Sequence, residues 1–311
     1  MKFSVIGNTD VKASQIGLGT WQFGSKSWGY GTDFNKADAI SIVKKALELG
    51  INIIDTAEVY GQGKSEIIIG EAIKDYDREN LIISTKFMPT AIRSSAVVRA
   101  LNKSLKRLQT DYIDIYLIHW PAPWFIGRVL NQMEKMADDG LIRYIGVSNF
   151  NQKRLQNAQK KMQNHRLQVN QVNYSIAKNK AAKDLLPYVQ RERMTLMAYS
   201  PLAQGWLTGK YSADNSPKGI RRTNRLFSKG NFKRGEQLLS IIREIAEDHQ
   251  TTMAQIALNW VIKNPSVIAI PGAKNLAQLE GNVNSTEFEL SNDEIDRIKK
   301  ALKVFHPRLL M

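Results

Sequence analysis

Four polar side chains stand at or just beyond the ends of three short apolar segments. Asp55, Lys86 and His119 each end or follow one of these segments, and Tyr60 comes shortly after Asp55. A tyrosine has a pKa near ~10, and a neighbouring ammonium lowers that pKa because it favours the phenolate. We therefore predict that Lys86 tunes Tyr60 as a proton donor and that Asp55 holds the lysine. His119 could orient a carbonyl group or relay a proton.

Each of these residues also has an ordinary structural explanation when it is taken alone. Asp55 could accept hydrogen bonds at a strand end, Lys86 could be a solvated residue before a turn, and Tyr60 could be a packing aromatic. His119 could simply satisfy backbone groups. The chemical interpretation is favoured because these groups end three successive segments, which places them together if the segments are neighbouring parallel strands.

Eight apolar segments alternate with amphipathic stretches along most of the chain. This alternation predicts βα units and a parallel sheet whose strands are buried on both faces. Residues 36–49 have the apolar spacing of a helix that ends at Gly50, and residues 95–108 have the same spacing. Ser291 and Glu294 form a capping box that predicts a last helix. The eight predicted strands are 16–20, 51–55, 81–85, 112–118, 144–148, 167–172, 195–199 and 267–270.

Two architectures fit this pattern, a closed eight-stranded barrel and an open doubly wound sheet. The segment Gly17-Leu18-Gly19-Thr20-Trp21 lacks the third glycine of the dinucleotide-binding fingerprint, and no helix follows it directly. We therefore predict an α/β fold in which residues 1–311 form a single (β/α)8 TIM barrel domain. Residues 1–14 should form an N-terminal β-hairpin that closes the bottom, and the last helix should be an extra one. Sites in such barrels lie at the carboxyl ends of the strands.

Composition narrows the classes of function. The chain has 311 residues, a net charge of +15 and no cysteine, which excludes disulfides, Cys-ligated zinc and a thiol nucleophile. Neither a secretory leader nor a membrane-spanning run is visible, so we expect a cytoplasmic protein. Seven positive charges and no acid fall within residues 218–234. Such a cluster indicates an anionic partner, which could be nucleic acid, a membrane or a small anion.

The sequence resembles the aldo-keto reductases, and within them the short-tailed bacterial branch that is similar to the potassium-channel β-subunit-like members. The resemblance covers nearly the whole chain. It implies a (β/α)8 barrel that transfers hydride from NADPH to aldehydes and ketones. The matching motifs are GLGTWQFG at 17–24, GINIIDTAEVYGQGKSE at 50–66, ISTK at 83–86, YIDIYLIHWP at 112–121, IRYIGVSNF at 142–150, YSPLAQGWLTGKY at 199–211 and IPGAKN at 270–275.

Motif by motif, the resemblance implies a role for each matching position. Tyr60 would be the general acid, and Asp55, Lys86 and His119 would complete a catalytic tetrad. The nicotinamide carboxamide would be held by Ser148, Asn149 and Gln171, and its ring by Tyr199. The pyrophosphate would be held by Ser200, Leu202, Gln204 and Lys210. The adenosine 2′-phosphate would be held by Lys274 and Asn275, with Gln278 and Asn282 on the helix that follows.

Two departures concern the choice of cofactor. Gln278 replaces an arginine that is frequent in the family, and Gly281 replaces an acidic residue that usually contacts adenine. Both weaken the expectation of strict NADP specificity. We still expect NADPH rather than NADH, since Lys274 at a helix start suits a phosphate dianion.

Loop residues around the predicted rim suggest a substrate pocket. We expect the tryptophans that follow strands one and four, namely Trp21, Trp28, Trp120 and Trp124, to line it. We expect the long connection from about residue 200 to 235 to be a functional loop. In related sequences its basic stretch can fold over the dinucleotide, which assigns closure to Arg221, Arg222 or Arg225 as a group. Most other side chains of this stretch should be solvated.

The predicted function is NADPH-dependent reduction of a small carbonyl compound, with no metal, nucleic acid or membrane involved. Three other functions remain open at this point. Lys86 could form a Schiff base in a barrel lyase or aldolase. The chain could bind NADP(H) as a redox-sensing regulatory module with little turnover. The basic stretch could bind nucleic acid, which a salt-dependent shift of random DNA would test.

Overall fold

The computed structural model describes residues 1–89, 94–121 and 125–308, without the side chains of Ser94 and Ala182, so Trp124 lies outside the described residues. Ten strands occur within these ranges: β1 (Phe3–Val5), β2 (Lys12–Ser14), β3 (Leu18–Gly19), β4 (Ile53–Asp55), β5 (Ile82–Phe87), β6 (Ile113–Ile118), β7 (Ile142–Ser148), β8 (Leu167–Asn173), β9 (Thr195–Tyr199) and β10 (Val267–Ile270).

Eleven helices surround or extend the sheet within the same ranges. They are α1 (Lys36–Glu48), α2 (Lys64–Ile73), α3 (Ser94–Leu108), α4 (Ile126–Asp138), α5 (Gln152–Gln159), α6 (Lys180–Asp184), α7 (Leu186–Arg191), α8 (Lys229–Asp248), α9 (Met253–Ile262), α10 (Leu276–Asn284) and α11 (Asn292–Val304). No helix within the described ranges is long and apolar enough to cross a membrane.

The eight strands β3 to β10 pair in parallel and in sequence order, and the sheet closes on itself. Closure comes from residues around β3, where Ile16 bridges Ala269 and Gly19 bridges Gly272. The (β/α)8 barrel is therefore confirmed, and each predicted strand segment overlaps one of these strands, although β5, β7 and β8 extend beyond the predicted bounds. Every residue of β5 and β6 is buried, which explains why the segments show no alternation of polar and apolar residues.

The N-terminal hairpin covers the amino-terminal end of the barrel, as predicted. β1 and β2 are antiparallel, and the Gly7 amide donates to the Thr195 hydroxyl at the start of β9 over 2.8 Å. Ile6 and Ala13 are fully buried and join the cluster of side chains that fills the barrel interior. The N-terminal hairpin therefore adds buried apolar side chains to the barrel core.

Local signals fix where the helices begin and end. Asn35 caps α1 by accepting from the amides of Ala37 and Asp38, and Gly50 follows the helix with a φ of +83°. The predicted capping box of Ser291 and Glu294 opens α11. Both helix predictions are confirmed.

The prediction of one long basic loop up to residue 234 is wrong in its last part. Lys229, Lys233 and Arg234 belong to the first turns of α8, which Ser228 caps by accepting from the Asn231 amide. The helix forms because Phe232 is buried between Trp206 and Phe227, with ring centroids 5.8 Å and 6.2 Å away. α8 and the extra helix α11 pack together over a second apolar core outside the barrel.

Candidate active site at the carboxyl end of the barrel

Three neighbouring strands bring the predicted catalytic side chains to one rim. Asp55 ends β4, Lys86 lies near the end of β5, and His119 directly follows β6. Tyr60 begins a short turn before α2, in which Gly61 and Gln62 adopt left-handed conformations. This turn folds Tyr60 back over the rim. The tetrad residues are therefore close together in space, as the parallel-strand argument predicted.

Lys86 is the centre of this cluster. Its ammonium donates to the Asp55 carboxylate over 2.7 Å, to the Thr56 carbonyl over 2.6 Å and to the Tyr60 hydroxyl over 3.2 Å. The side chain of Lys86 is fully buried, and Asp55 is 2% exposed. Burial alone would lower the pKa of Lys86, but the Asp55 charge and the Tyr60 contact raise it overall. Lys86 is therefore an ammonium, which disfavours a Schiff-base role because that chemistry needs the neutral amine.

The predicted lowering of the Tyr60 pKa is wrong. Burial raises the pKa of the phenol, and this effect outweighs the lowering by the Lys86 charge. Tyr60 therefore stays protonated at neutral pH and holds a proton that it can donate. Lys86 still reduces the free energy needed to form the phenolate, since the ammonium lies 3.2 Å from the phenol oxygen.

His119 lies beside Tyr60, with ring centroids 6.0 Å apart. Burial, followed by the Lys86 charge, lowers the pKa of His119 to about 3. A neutral imidazole can donate one N–H to a carbonyl oxygen but is a poor carrier of a charge-relayed proton. The Nδ1 atom is buried, and no described residue hydrogen-bonds to it. This environment favours orientation of a carbonyl over a proton relay.

Asp55 links the tetrad to the neighbouring strands. Besides Lys86, its carboxylate accepts from the Ser84 hydroxyl over 2.9 Å and from the Gln171 amide over 2.8 Å. Sequence reasoning placed Gln171 near the cofactor and missed its contact with Asp55, and it missed Ser84 altogether. Both are buried polar residues within barrel strands, and a polar residue in a strand predicted to be buried on both faces is the signal that could have revealed them.

The start of α2 fixes the turn that carries Tyr60. The buried Ser65 hydroxyl lies 2.9 Å from the Thr56 hydroxyl and 2.8 Å from that of Thr20. Glu66 is fully buried and accepts from Thr85 over 2.7 Å and from Arg107 over 2.6 Å. Ser65 and Glu66 therefore hold α2 against Thr56, which follows Asp55, and against Thr85, which precedes Lys86. The sequence analysis missed both of them.

The predicted nicotinamide residues lie together beside the tetrad. Ser148 ends β7, and its hydroxyl donates to the Gln171 carbonyl over 3.1 Å. Asn149 adopts a left-handed conformation with a φ of 65° and accepts from the Tyr199 hydroxyl over 2.9 Å. These four side chains come from the ends of β7, β8 and β9 and form one polar wall next to Asp55.

The predicted pyrophosphate residues lie in a tight turn after β9. Ser200, Ala203 and Gln204 all have positive φ values, and such turns form concave sites for anions. Ser200 and Gln204 line a cleft of about 230 Å³, together with Lys178 and Arg225. Leu202 is half-buried against the apolar cores.

Lys210 does not join the residues that line the cleft. It is exposed, and its ammonium lies 5.8 Å from the centre of the Tyr211 ring. The structure therefore separates Lys210 from the other residues of the predicted pyrophosphate site.

Part of the basic stretch crosses over this turn. The Arg221 guanidinium donates to the Gln204 carbonyl over 3.0 Å and lies 4.8 Å above the Trp28 ring. The Asn224 amide donates to the Gln204 side chain over 3.0 Å. Arg225 lines the cleft, and Arg222 is exposed. Of the three arginines assigned as a group, Arg221 makes the bridging contacts.

The predicted adenosine residues stand at the start of α10. Asn275 caps the helix by accepting from the Gln278 amide over 2.9 Å, and Gln278 accepts from the Lys274 amide over 3.0 Å. Asn282 is buried on the same helix. The Lys274 ammonium pairs with the Asp33 carboxylate over 2.6 Å, a contact that the sequence analysis did not anticipate.

Aromatic side chains border the open side of the tetrad. Trp21 lies 4.9 Å from Trp28 and 6.4 Å from Tyr60, measured between ring centroids. Trp120 is stacked on His119 at 6.1 Å. Trp21 and Trp120 are both exposed, and Trp21 and Trp28 line a second, open pocket of about 330 Å³ next to Gln204. Of the four tryptophans predicted to line the pocket, the structure thus brings the three that lie in the described ranges to the same rim.

Comparisons with known proteins give a consistent answer. Residues 15–303 match the model of the Aldo/keto reductase family. An uncharacterized oxidoreductase of Mycobacterium tuberculosis is 42% identical over 297 residues, which cover 95% of this chain and 91% of that protein. An NADH-specific methylglyoxal reductase of Escherichia coli is 31% identical over 321 residues, covering 94% of this chain and 95% of that protein.

A solved structure agrees with these relatives. The aldo-keto reductase of Klebsiella pneumoniae in complex with NADPH has a TM-score of 0.80 and 30% sequence identity, and the match covers 100% of this chain and 99% of that one. Since family model, relatives and fold agree along nearly the whole chain, the protein belongs to the aldo/keto reductase family and is an NAD(P)H-dependent oxidoreductase.

Proposed function

We propose that this protein reduces small aldehydes and ketones to alcohols with NADPH, and that Tyr60 donates the proton. The observation that carries the proposal is the position of the Lys86 ammonium, 2.7 Å from the Asp55 carboxylate and 3.2 Å from the Tyr60 hydroxyl. This arrangement holds a positive charge beside the phenol from which the proton would leave. Electrostatic stabilisation of that kind is among the largest contributions to catalysis.

The residues present fit a nicotinamide dinucleotide. A polar wall beside the tetrad offers buried amide and hydroxyl groups from Ser148, Asn149 and Gln171 for a carboxamide, with Tyr199 next to them for the ring. The turn at Ser200 to Gln204 and the cleft beside it suit a pyrophosphate. Lys274 and Asn275 stand where an adenosine phosphate would meet a helix start, with Gln278 and Asn282 alongside. When bound, the cofactor supplies the hydride.

The chain's own residues would supply the proton chemistry. His119 is neutral, so its N–H can hold a carbonyl oxygen toward the Tyr60 hydroxyl. Tyr60 then passes its proton to that oxygen. The phenolate that remains lies beside the Lys86 ammonium, and Asp55 keeps this ammonium charged and in place. The bordering tryptophans would limit the access of water to the carbonyl.

The open, aromatic border favours a broad range of small carbonyl substrates. Trp21, Trp28 and Trp120 present apolar surface around the tetrad without closing it. We propose methylglyoxal-like compounds as a first class to test, because a relative that is 31% identical is named as a methylglyoxal reductase. We further propose that residues 1–311 act as one catalytic domain, with small molecules rather than nucleic acid or membranes as partners.

Fluorescence titration with NADPH and NADH tests this proposal first, followed by turnover with aldehydes, ketones and sugars. We expect NADPH to bind and aldehydes, methylglyoxal among them, to be reduced. A protein that binds neither cofactor would overturn the proposal. Binding without measurable turnover across the whole panel would also overturn it, and would support a redox-sensing regulatory module instead.

A further inference from the structure

Asp33 occupies a position that the proposed cofactor site leaves unexplained. It lies in the loop after β3, yet its carboxylate Oδ2 accepts from the Lys274 ammonium over 2.6 Å, at the other end of the chain. The Lys274 side chain is 19% exposed, whereas that of Asp33 is 56% exposed. The proposed 2′-phosphate ligand is therefore already paired with an acid of the same chain.

The loop is shaped for this contact. Gly29 has a φ of +90°, and a Cβ atom at this position would collide with the Asp33 carboxylate and stand 2.9 Å from the Lys274 ammonium. The Asp33 amide donates to the Gly29 carbonyl over 2.7 Å. The Thr32 hydroxyl donates to the second carboxylate oxygen over 3.3 Å. The loop therefore holds Asp33 against Lys274, and a larger residue at position 29 would disturb the pair.

The charges around the pair keep Asp33 ionised. The hydrogen bond and charge of Lys274 lower the pKa of Asp33, and Arg221 is close enough to add to this effect. Few other cations are available on the helix side. Between residues 271 and 284 Lys274 is the only positively charged residue, and Gln278, where the family resemblance implies an arginine, is neutral.

The pair has opposite consequences for the two cofactors. A 2′-phosphate must share the Lys274 ammonium with the Asp33 carboxylate or displace it, and it meets a like charge in doing so. A ribose 2′-hydroxyl can instead donate to the carboxylate, which is how an acidic residue recognises the ribose of NAD in dinucleotide-binding folds. Asp33 therefore disfavours the phosphate and favours the hydroxyl.

We propose that Asp33 is a specificity-determining residue that weakens the selection of NADPH over NADH, so that both cofactors are accepted. This inference rests on the proposed function, because it assumes that the adenosine end of the dinucleotide lies at Lys274. It places the determinant in the loop after β3, outside the helix α10 and its capping residues.

Calorimetric titration with adenosine 2′,5′-bisphosphate and with AMP tests the proposal directly, because these probes differ only in the 2′-phosphate. In Asp33→Asn we expect the bisphosphate to bind about fivefold more tightly at low salt, as the loss of one partly exposed charge should allow, with AMP binding unchanged or weaker. Asp296→Asn is the matched control, since it removes an exposed aspartate that pairs with Lys299 over 3.0 Å on α11.

A double-mutant cycle separates charge competition from simple loosening of the loop. In a Lys274→Met background the Asp33→Asn change should still favour the bisphosphate over AMP, but by a smaller factor, because the competition for the Lys274 ammonium is gone and only the direct effects of the carboxylate remain. An affinity ratio that is unchanged in Asp33→Asn would overturn the inference. A ratio that shifts in favour of AMP would overturn it too, because Asp33 would then be positioning Lys274 for the phosphate. If the wild-type protein bound neither the two probes nor either dinucleotide, both the inference about Asp33 and the proposed function would be wrong.

Discussion

At the scale of single residues, the environment decides the role of each group in the tetrad. Tyr60 and His119 are both held in their neutral forms, the first by a raised pKa and the second by a lowered one. Both effects come mainly from burial, and the Lys86 charge modifies them in each case. The site therefore combines one ion pair, Lys86 with Asp55, with two neutral groups that can donate hydrogen bonds, Tyr60 and His119.

The lowered pKa of His119 makes stability depend on pH. Below pH 6.5, its ordinary pKa, a histidine that is neutral in the folded state takes up a proton when the protein unfolds, and this favours the unfolded state. The contribution of His119 to the free energy of unfolding is therefore complete above that pH and is lost as the pH falls toward about 3. Between about pH 7.5 and about pH 5, the free energy of unfolding should therefore fall more in the wild type than in His119→Asn. The extra loss should be roughly 2 kcal/mol. Urea unfolding of both proteins at the two pH values measures this difference.

His306→Asn serves as the control, because His306 is exposed and lies near the end of the chain. It shows how much of the change follows from removing any imidazole. A difference between His119→Asn and the wild type that stays constant across this pH range would contradict the buried, neutral histidine.

At the scale of elements, short polar contacts fix the strands and α2 relative to one another. Glu66 at the start of α2 reaches Thr85 on β5, the residue before Lys86, and Arg107 on α3. The Arg107 side chain also fills the space beside Gly63, where a Cβ atom would stand 2.8 Å from the arginine Cδ. One buried ion pair therefore supports the turn that carries Tyr60.

Arg107→Met should lower the free energy of unfolding by about 3 kcal/mol, because it leaves the fully buried Glu66 carboxylate without its partner. Denaturant unfolding at neutral pH measures the change. Arg297→Met is the matched control, since Arg297 pairs with Glu244 at a similar 2.7 Å but the Glu244 side chain is 52% exposed, whereas that of Glu66 is fully buried. That variant should lose less than about 1 kcal/mol. Equal losses in the two variants would contradict a structural role for the buried pair.

At the scale of the whole molecule, the loop after β3 meets two segments from the later part of the chain, one after β9 and one after β10. The loop after β3 contacts Arg221 through Trp28 and Lys274 through Asp33. Both contacts adjoin residues of the proposed dinucleotide site, since Arg221 bonds to Gln204 and Lys274 pairs with Asp33. Few of the positive charges that give the chain its net charge of +15 take part, and the remaining ones have no structural explanation at this site.

The sequence predicted the barrel well because its signals are local. Apolar strand segments, a capping box at Ser291 and a terminating glycine at position 50 each depend on neighbouring residues. The rim cluster was also predictable, since parallel strands place their carboxyl ends together. The helical start of α8 was missed because tertiary packing of Phe232 stabilises it, within a stretch that composition alone made resemble a loop.

Contacts between distant segments could not be predicted in the same way. The Asp33–Lys274 pair joins residues 241 positions apart, and the Gln171–Asp55 hydrogen bond joins residues 116 apart. The direction of the Tyr60 pKa was mispredicted because spacing shows the nearby lysine and does not show the burial that outweighs it. The residue types of the site could thus be predicted from the sequence. The pKa of each residue depends on both burial and nearby charge, and that required the structure.

The most direct test of the central claim is Tyr60→Phe, with NADPH affinity and aldehyde turnover measured on the same preparation. The variant keeps the ring beside Lys86 and loses only the proton donor, so turnover should fall by about 100-fold or more. Its NADPH dissociation constant should stay within about threefold of the wild-type value. Tyr76→Phe, just beyond the end of α2, should change neither quantity. Turnover by Tyr60→Phe within about tenfold of the wild type would contradict the assignment of Tyr60 as the acid.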